Sequence, residues 1–302
     1  MKVIVTDKLA DEGVQKLKDA GYEVKIAWDI PKEELPNIIG DYDALVVRSA
    51  TKARGPLLEN AKNLKVIGRA GVGLDNIDLE KTKEMGIVVR NTPTATSISV
   101  SELALSFLLA CARDIITGTI TLRKGQWAKK QLQGSEVYGK TLGIIGFGRI
   151  GRELGKRAVA LGMRVLAYDV IEIPPMEGVE VVDLDKLLPE ADYISIHVPL
   201  LPSTKHMISA DIFKKMKKGV CLIDCGRGGV VNLDALYDAI KAGIVKKAAL
   251  DVFEVEPPGE HKLLELDQVI GTPHIGAATA EGQLRAGILV AEAVIEELEK
   301  LK

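Results

Sequence analysis

The chain has 302 residues, 47% hydrophobic and 27% charged, and 40 Lys+Arg against 42 Asp+Glu leave a net charge of −2. That length exceeds what one hydrophobic core usually organises, so two domains are expected. The balanced charge excludes a general polyanion binder, and nucleic acid is not an expected partner. Asp7 comes too early for a signal peptide, and the longest apolar run, Leu103 to Ala112, is too short to span a bilayer. A cytoplasmic protein without a membrane partner is therefore expected. Cys111, Cys221 and Cys225 are odd in number, without CxxC spacing or a paired histidine. They read as reduced, buried thiols, and no metal site is expected.

In chain order, the apolar runs Lys2–Thr6, Glu23–Ala27, Ala44–Val47, Leu64–Gly68 and Ile87–Val89 predict buried strands. Spaced apolar positions predict helices at Asp11–Ala20 and Pro31–Ile39, with Gly21 and Gly40 as their stop signals. These alternating elements form one α/β domain. After Thr92-Pro93, one long helix is predicted from about Ser97 to Lys124. Strands follow at Leu142–Ile145, Arg164–Tyr168, Tyr193–His197, Val220–Asp224, Ala248–Asp251 and Val269–Gly271. A final amphipathic helix, about Ala278 to Lys302, should return to the first domain through a hinge near Pro273–Ala277. The expected fold class is α/β, two doubly wound parallel sheets, with a Rossmann dinucleotide-binding domain (94–277) inserted into a flavodoxin-like substrate domain (1–93 and 278–302). No further regulatory domain is expected.

The strand Leu142–Ile145 runs into Gly146-Phe147-Gly148-Arg149-Ile150-Gly151 and then a helical stretch, and Asp169 ends the next strand 18 residues after Gly151. A lone GxGxxG can be a structural turn, but strand, helix and acid in register point to a dinucleotide site. Gly146 permits the turn, Gly148 lets the backbone approach a pyrophosphate, and Gly151 lets helix and strand pack closely. The helix N-terminus then offers free N–H groups and partial positive charge to the phosphates. Asp169 can accept hydrogen bonds from ribose hydroxyls and would repel a 2′-phosphate, so NAD is the expected cofactor.

Arg227 follows Val220–Asp224 at the carboxyl end of a strand, where open α/β sheets place ligands. Its guanidinium can bind a carboxylate and a carbonyl oxygen that gains charge during reduction; the bland alternative is a surface arginine in a Gly-rich turn. His274, one of 4 histidines, follows Val269–Gly271 in Thr272-Pro273-His274-Ile275-Gly276. Its imidazole can pass a proton to or from an alcohol. Either Glu256 or Glu254, in Asp251-Val252-Phe253-Glu254-Val255-Glu256-Pro257, could orient that ring, and the residues alone leave the choice open.

Through these four motifs the chain resembles the D-isomer-specific 2-hydroxyacid dehydrogenase family along essentially its whole length. The resemblance implies that His274 is the acid/base, that Glu256 pairs with it, and that Arg227 binds the substrate carboxylate and carbonyl. It also implies that Asp251 contacts the nicotinamide carboxamide and that backbone N–H groups around Gly71-Val72-Gly73 hold the substrate carboxylate. Ser99, Arg149, Ile150, Pro199, Thr204, Cys225, Gly226 and Gly276 are further candidate cofactor contacts. His197 joins them through packing and loop geometry, not chemistry.

Within the family, Val47–Lys52, Gly68–Asp78 and Trp127–Lys130 are most like the phosphoglycerate dehydrogenases that lack a C-terminal regulatory domain. Arg48, Ser49, Arg69 and Lys129 become candidate contacts to a phosphorylated acid. Lys129 or Lys130 would arrive from the partner in a homodimer that pairs through the nucleotide domain, or in a tetramer of such dimers. The plain alternative for Lys129 is a solvated face. The expected reaction is NAD-dependent oxidation of D-3-phosphoglycerate to 3-phosphohydroxypyruvate, the opening of serine biosynthesis. The alternatives are a glyoxylate or hydroxypyruvate reductase and, in another class, an NAD-sensing binding protein of the corepressor type. Thr96, Leu201 and Asp224 depart from the family's usual Asn, Thr and Asn, and none of them removes a catalytic group.

Overall fold

The computed structural model describes residues 1–302, which divide into two units, Met1–Ser97 with Ala277–Lys302, and Ile98–Gly276. In the first unit the strands are β1 (Lys2–Val5), β2 (Glu23–Ile26), β3 (Ala44–Val47), β4 (Val66–Arg69) and β5 (Val88–Asn91). They pair in parallel in the order β2-β1-β3-β4-β5. The order reverses between β1 and β3, a switch point of the flavodoxin type, where ligands are held beyond the carboxyl ends of the strands.

Side-chain alternation divides this unit's core between the two faces of its sheet. Val3 and Val5 of β1 pack with Ala44, Val46 and Val66 on one face, under the C-terminal Ala280–Glu299 helix. Ile4, Leu45, Val47 and Ile67 point to the other face. The central strands β1, β3 and β4 are apolar in both registers because a doubly wound sheet is covered on both sides, whereas the edge strands β2 and β5, expected to be buried, are partly exposed.

The second unit holds β6 (Thr141–Ile145), β7 (Arg164–Tyr168), β8 (Val179–Val181), β9 (Tyr193–Ile196), β10 (Val220–Asp224), β11 (Val245–Leu250) and β12 (Val269–Gly271). Its 7 parallel strands lie in the order β12-β11-β10-β9-β6-β7-β8, the Rossmann arrangement with its switch point between β6 and β9. Ile145, Ile194, Ile196 and Leu222 fill the core on one face, and Leu142, Ile144, Tyr193 and Ile223 fill it on the other. Both sheets are thus of the expected α/β class.

Three local expectations are corrected. The helix predicted from Ser97 to Lys124 is two helices, Ser97–Arg113 and Ile115–Arg123, bent by 65°. Asp114 between them has φ 53°, and Lys247, from β11, donates to the Asp114 carboxylate and, at 3.0 Å, to the Cys111 carbonyl. The partner that holds the bend is therefore remote in sequence. The helix expected at Pro31–Ile39 is two 3₁₀ turns around one α-turn at Leu35–Ile38, because Pro36 lacks a donor and Gly40 weakens the continuation. The short edge strand β8 was not expected; its 3 residues are too few to show a period. No single helix is long and apolar enough to cross a membrane.

Candidate active site

At the switch point of the second sheet, β6 turns into the Arg149–Ala160 helix through the glycine motif. Gly146 has φ +92°, and a Cβ there would lie 2.7 Å from the backbone of His197, the residue after β9. A Cβ on Gly151 would sit 2.3 Å from the Gly146 carbonyl oxygen, so turn and helix approach more closely than a side chain permits. Gly148, by contrast, faces open space and is an N-cap without a side-chain hydrogen bond. The amides of the first helical turn, at Arg149, Ile150 and Gly151, are therefore not claimed by a capping side chain, as an incoming phosphate requires. Asp169, after β7, accepts from the Phe147 amide at 2.8 Å through Oδ2 and from the Val170 amide at 2.8 Å through Oδ1. It fixes the glycine turn from the position expected to meet ribose.

Across the switch point, His197 Nε2 and Ser195 Oγ lie 2.8 Å apart. Burial pushes the imidazole down to about 4, so the ring is neutral at physiological pH, and its buried Nδ1 has no protein partner. Thr204 Oγ1 donates to the Pro199 carbonyl at 2.6 Å and accepts from the Leu201 amide at 2.7 Å, which closes the loop after β9. An open glycine turn, an uncapped helix start and an orphaned buried ring nitrogen fit a dinucleotide at this edge. Cys225 is different: its thiol lies in the apolar core, and burial raises it well above its ordinary value. Only its backbone is available to a cofactor.

The carboxyl ends of β10, β11 and β12 carry the polar groups. At the end of β10, Asp224 Oδ1 accepts from the Gly226 amide at 2.9 Å, and Arg227 Nη1 donates to the Gly226 carbonyl at 2.8 Å. A Cβ on Gly228 would fall 1.9 Å from the Phe253 carbonyl oxygen, so the Arg227 loop rests directly on the backbone that follows β11. Asp251, at the end of β11, accepts from Thr272 Oγ1 at 2.6 Å and from the Ile275 and Gly276 amides at 2.8 and 2.7 Å. Three bonds to one buried carboxylate hold the turn on which His274 adopts φ 52°, a conformation that costs a non-glycine residue about 1–3 kcal/mol.

On that turn, His274 Nδ1 lies 2.8 Å from Glu256 Oε2. Glu256 Oε1 accepts from the Phe253 amide at 3.1 Å, so both carboxylate oxygens are engaged. An ionised carboxylate only accepts, so Nδ1 carries the hydrogen and Nε2 is the nitrogen left for proton exchange. The side chain of His274 is 46% exposed, as exchange with a bound molecule requires. Glu254 faces elsewhere: its Oε2 is 3.1 Å from His206 Nε2. Geometry therefore decides between the two glutamates that the residues alone left open.

Residues 105–276 match the family model for the NAD binding domain of D-isomer specific 2-hydroxyacid dehydrogenases. A hydroxypyruvate reductase of Thermotoga maritima is 50% identical over 300 residues, 98% of this chain and 98% of that protein. The chain belongs to the D-isomer specific 2-hydroxyacid dehydrogenases. A D-3-phosphoglycerate dehydrogenase of Methanocaldococcus jannaschii is 49% identical over 298 residues, 97% of this chain but 57% of that longer protein. The chain thus spans little more than half of that relative. The crystal structure of the TT0316 protein of Thermus thermophilus matches with a TM-score of 0.90 at 35% identity, covering 99% of this chain and 97% of that one. As a member of the family, the protein is an NAD-dependent oxidoreductase of 2-hydroxy acids.

The other candidate residues of this dehydrogenase are carried by different elements. Ser99 is buried near the start of the Ser97–Arg113 helix, and Lys129 is exposed in the segment before β6. In the first unit, Arg48 and Ser49 follow β3 and Arg69 ends β4. The Val72–Gly73 turn is held by Asn91 Nδ2, which donates to the Val72 carbonyl at 2.6 Å. For Asp251, named through the resemblance as a cofactor contact, sequence reasoning missed its hold on the His274 turn, whose partners lie 21 to 25 residues away. It also missed the His206–Glu254 pair, for which sequence offered no signal because 48 residues separate the partners.

Proposed function

We propose that the protein reduces hydroxypyruvate, and the shorter acid glyoxylate, with NADH, and oxidises the corresponding hydroxy acids with NAD in the reverse direction. The observation that carries the reaction type is the 2.8 Å His274–Glu256 pair beside the Arg227 loop. The choice of acid is supported by the hydroxypyruvate reductase matched along the full length of both chains.

In this reading Arg227 binds the carboxylate of the 2-oxo acid and draws charge toward its carbonyl oxygen. The Gly146–Gly151 turn and Asp169 would hold the nicotinamide cofactor, which would supply the hydride as NADH in reduction and accept it as NAD in oxidation. His274 Nε2 gives its proton to the carbonyl oxygen as C2 is reduced, and takes it back when the alcohol is oxidised. Glu256 holds the ring by Nδ1 and stabilises its protonated form. One proton and one hydride enter per 2-oxo acid reduced, so charge balances. Residues 94–277 serve NAD binding in this account, and residues 1–93 with 278–302 serve the substrate through Arg48, Ser49, Arg69 and the Val72–Gly73 backbone. The exposed apolar side chains of Ile115, Ile120, Leu122 and Trp127 support a homodimer that buries this part of the nucleotide unit.

A second reading is oxidation of D-3-phosphoglycerate. It is favoured by the cations Arg48 and Arg69 at the carboxyl edge of the first sheet and by the phosphoglycerate dehydrogenase relative. NADH consumption with hydroxypyruvate, glyoxylate and 3-phosphohydroxypyruvate, and NADH formation with D-3-phosphoglycerate, separate the two. A higher kcat/KM for hydroxypyruvate than for its phosphorylated form supports reduction of the unphosphorylated acid. The opposite order, lost in Arg48→Ala, would make the protein a phosphoglycerate dehydrogenase.

A further inference from the structure

The first sheet reverses its strand order between β1 and β3, and a single carboxylate bridges the ends of those two strands. Asp7, two residues beyond β1, is 5% exposed. Its Oδ2 accepts the Arg48 amide at 2.7 Å and the Thr51 amide at 3.0 Å. Its Oδ1 accepts Thr51 Oγ1 at 2.7 Å and Lys32 Nζ at 3.0 Å. From the other side, Asn76 Nδ2 donates to the Arg48 carbonyl at 2.8 Å and the Thr51 carbonyl at 2.7 Å. Both ends of the loop after β3 are thus gripped, by an acceptor on the amide side and a donor on the carbonyl side. Ser49 and Ala50 between them are exposed.

We infer that Asp7 is a positioning residue that shapes the Arg48–Thr51 loop for the substrate, an inference that rests on the proposed substrate role of that loop. A carboxylate buried near an edge that must receive an anion is a poor choice on electrostatic grounds alone, since it repels the ligand. Its use is explained by what it organises: four donors, three of them from the loop it faces. Lys32 supplies the compensating charge. Burial by itself would push the carboxyl up, but the Thr51 hydroxyl and amide, the Arg48 amide and Lys32 together bring it below the ordinary range. The acid is therefore ionised throughout the neutral range, and the loop is held in one form. An amide at this position cannot reproduce the pattern, because its NH₂ group cannot accept from the donors facing one of the two oxygens.

The test is steady-state kinetics of Asp7→Asn, with Thr51→Val as a second variant that deletes one of the four bonds. Arg48→Ala and the Asp7→Asn/Arg48→Ala double variant complete a cycle on whichever 2-oxo acid the wild type turns over best. Asp7→Asn should raise KM for the acid roughly 10-fold, the scale of a lost charge-assisted hydrogen bond, with kcat within about 3-fold and NADH affinity unchanged. Thr51→Val should move KM in the same direction by less. The effects of Asp7→Asn and Arg48→Ala should fall short of additive, since one acts partly through the other. If Arg48→Ala raises KM while folded Asp7→Asn and Thr51→Val leave it unchanged, the role of Asp7 is overturned and the substrate role of the loop stands. If Asp7→Asn raises KM while Arg48→Ala does not, Asp7 keeps its positioning role and the Arg48 side chain loses its contact. If none of the variants moves KM for any acid, both readings fall.

Discussion

Asp224→Asn should stabilise the protein above neutral pH and leave it nearly unchanged near pH 4. Asp224 is 2% exposed. Burial raises its carboxyl to about 7 from 3.8; the Gly226 amide and Arg227 oppose that rise, and the nearby Asp251 adds to it. The folded state therefore holds a proton that the unfolded chain releases, and stability falls as pH rises through the window between those two values. A pKa difference of one between the folded and unfolded states corresponds to about 1.4 kcal/mol, so the ionisation penalty approaches about 4 kcal/mol above pH 7 as a ceiling. Relaxation and water penetration reduce it, and a gain of about 2–4 kcal/mol is expected for Asn, which keeps the acceptor for the Gly226 amide but cannot ionise. Urea unfolding of wild type and variant at about pH 5 and about pH 8, without cofactor, measures the effect as a shift in midpoint. A gain at pH 8 about 1–3 kcal/mol larger than at pH 5 is expected, since pH 5 already lies inside that window. An equal gain at both, or a loss at pH 8, would refute the reasoning and mean that Asp224 is ionised and paired in the native state.

Glu256→Gln retains a hydrogen-bonding side chain but removes the charge that stabilises protonated His274, so kcat for reduction should fall roughly 10–100-fold with little change in NADH affinity; a change confined to KM would argue against the dyad. Gly228→Ala forces a Cβ to within 1.9 Å of the Phe253 carbonyl, and the Arg227 loop must shift. A loss of about 10²-fold in kcat/KM is expected from that displacement, and near wild-type kinetics would show that the two loops are free to separate. Asp169→Ala should weaken NAD and improve NADP, read as the ratio of the two kcat/KM values; an unchanged ratio would remove Asp169 from cofactor choice.

How much of this was legible from residues varies with the range of the forces involved. Strands β3, β7, β10 and β12 have the predicted limits, since compact apolar runs bounded by turns are a local signal. The glycine motif was equally local, because its strand, turn, helix and acid lie within one βαβ unit. The bend at Asp114 was not legible because Lys247, 133 residues away, holds it. Nor could the partner of His274 be read from residues alone. Glu254 and Glu256 share one short loop, and only the folded positions of His206 and His274 separate them. The same holds for Asp7, whose chemistry depends on partners 25 to 44 residues away in sequence.

The central claim is that His274, held by Glu256, exchanges the proton that accompanies hydride transfer. The most direct test is His274→Asn, assayed for NADH affinity by fluorescence titration and for turnover of the best 2-oxo acid in the same preparation. The account predicts unchanged NADH affinity with kcat reduced by roughly 10²–10⁴-fold, the usual contribution of a positioned acid–base group. Turnover within a few-fold of wild type would contradict it and place the proton transfer elsewhere.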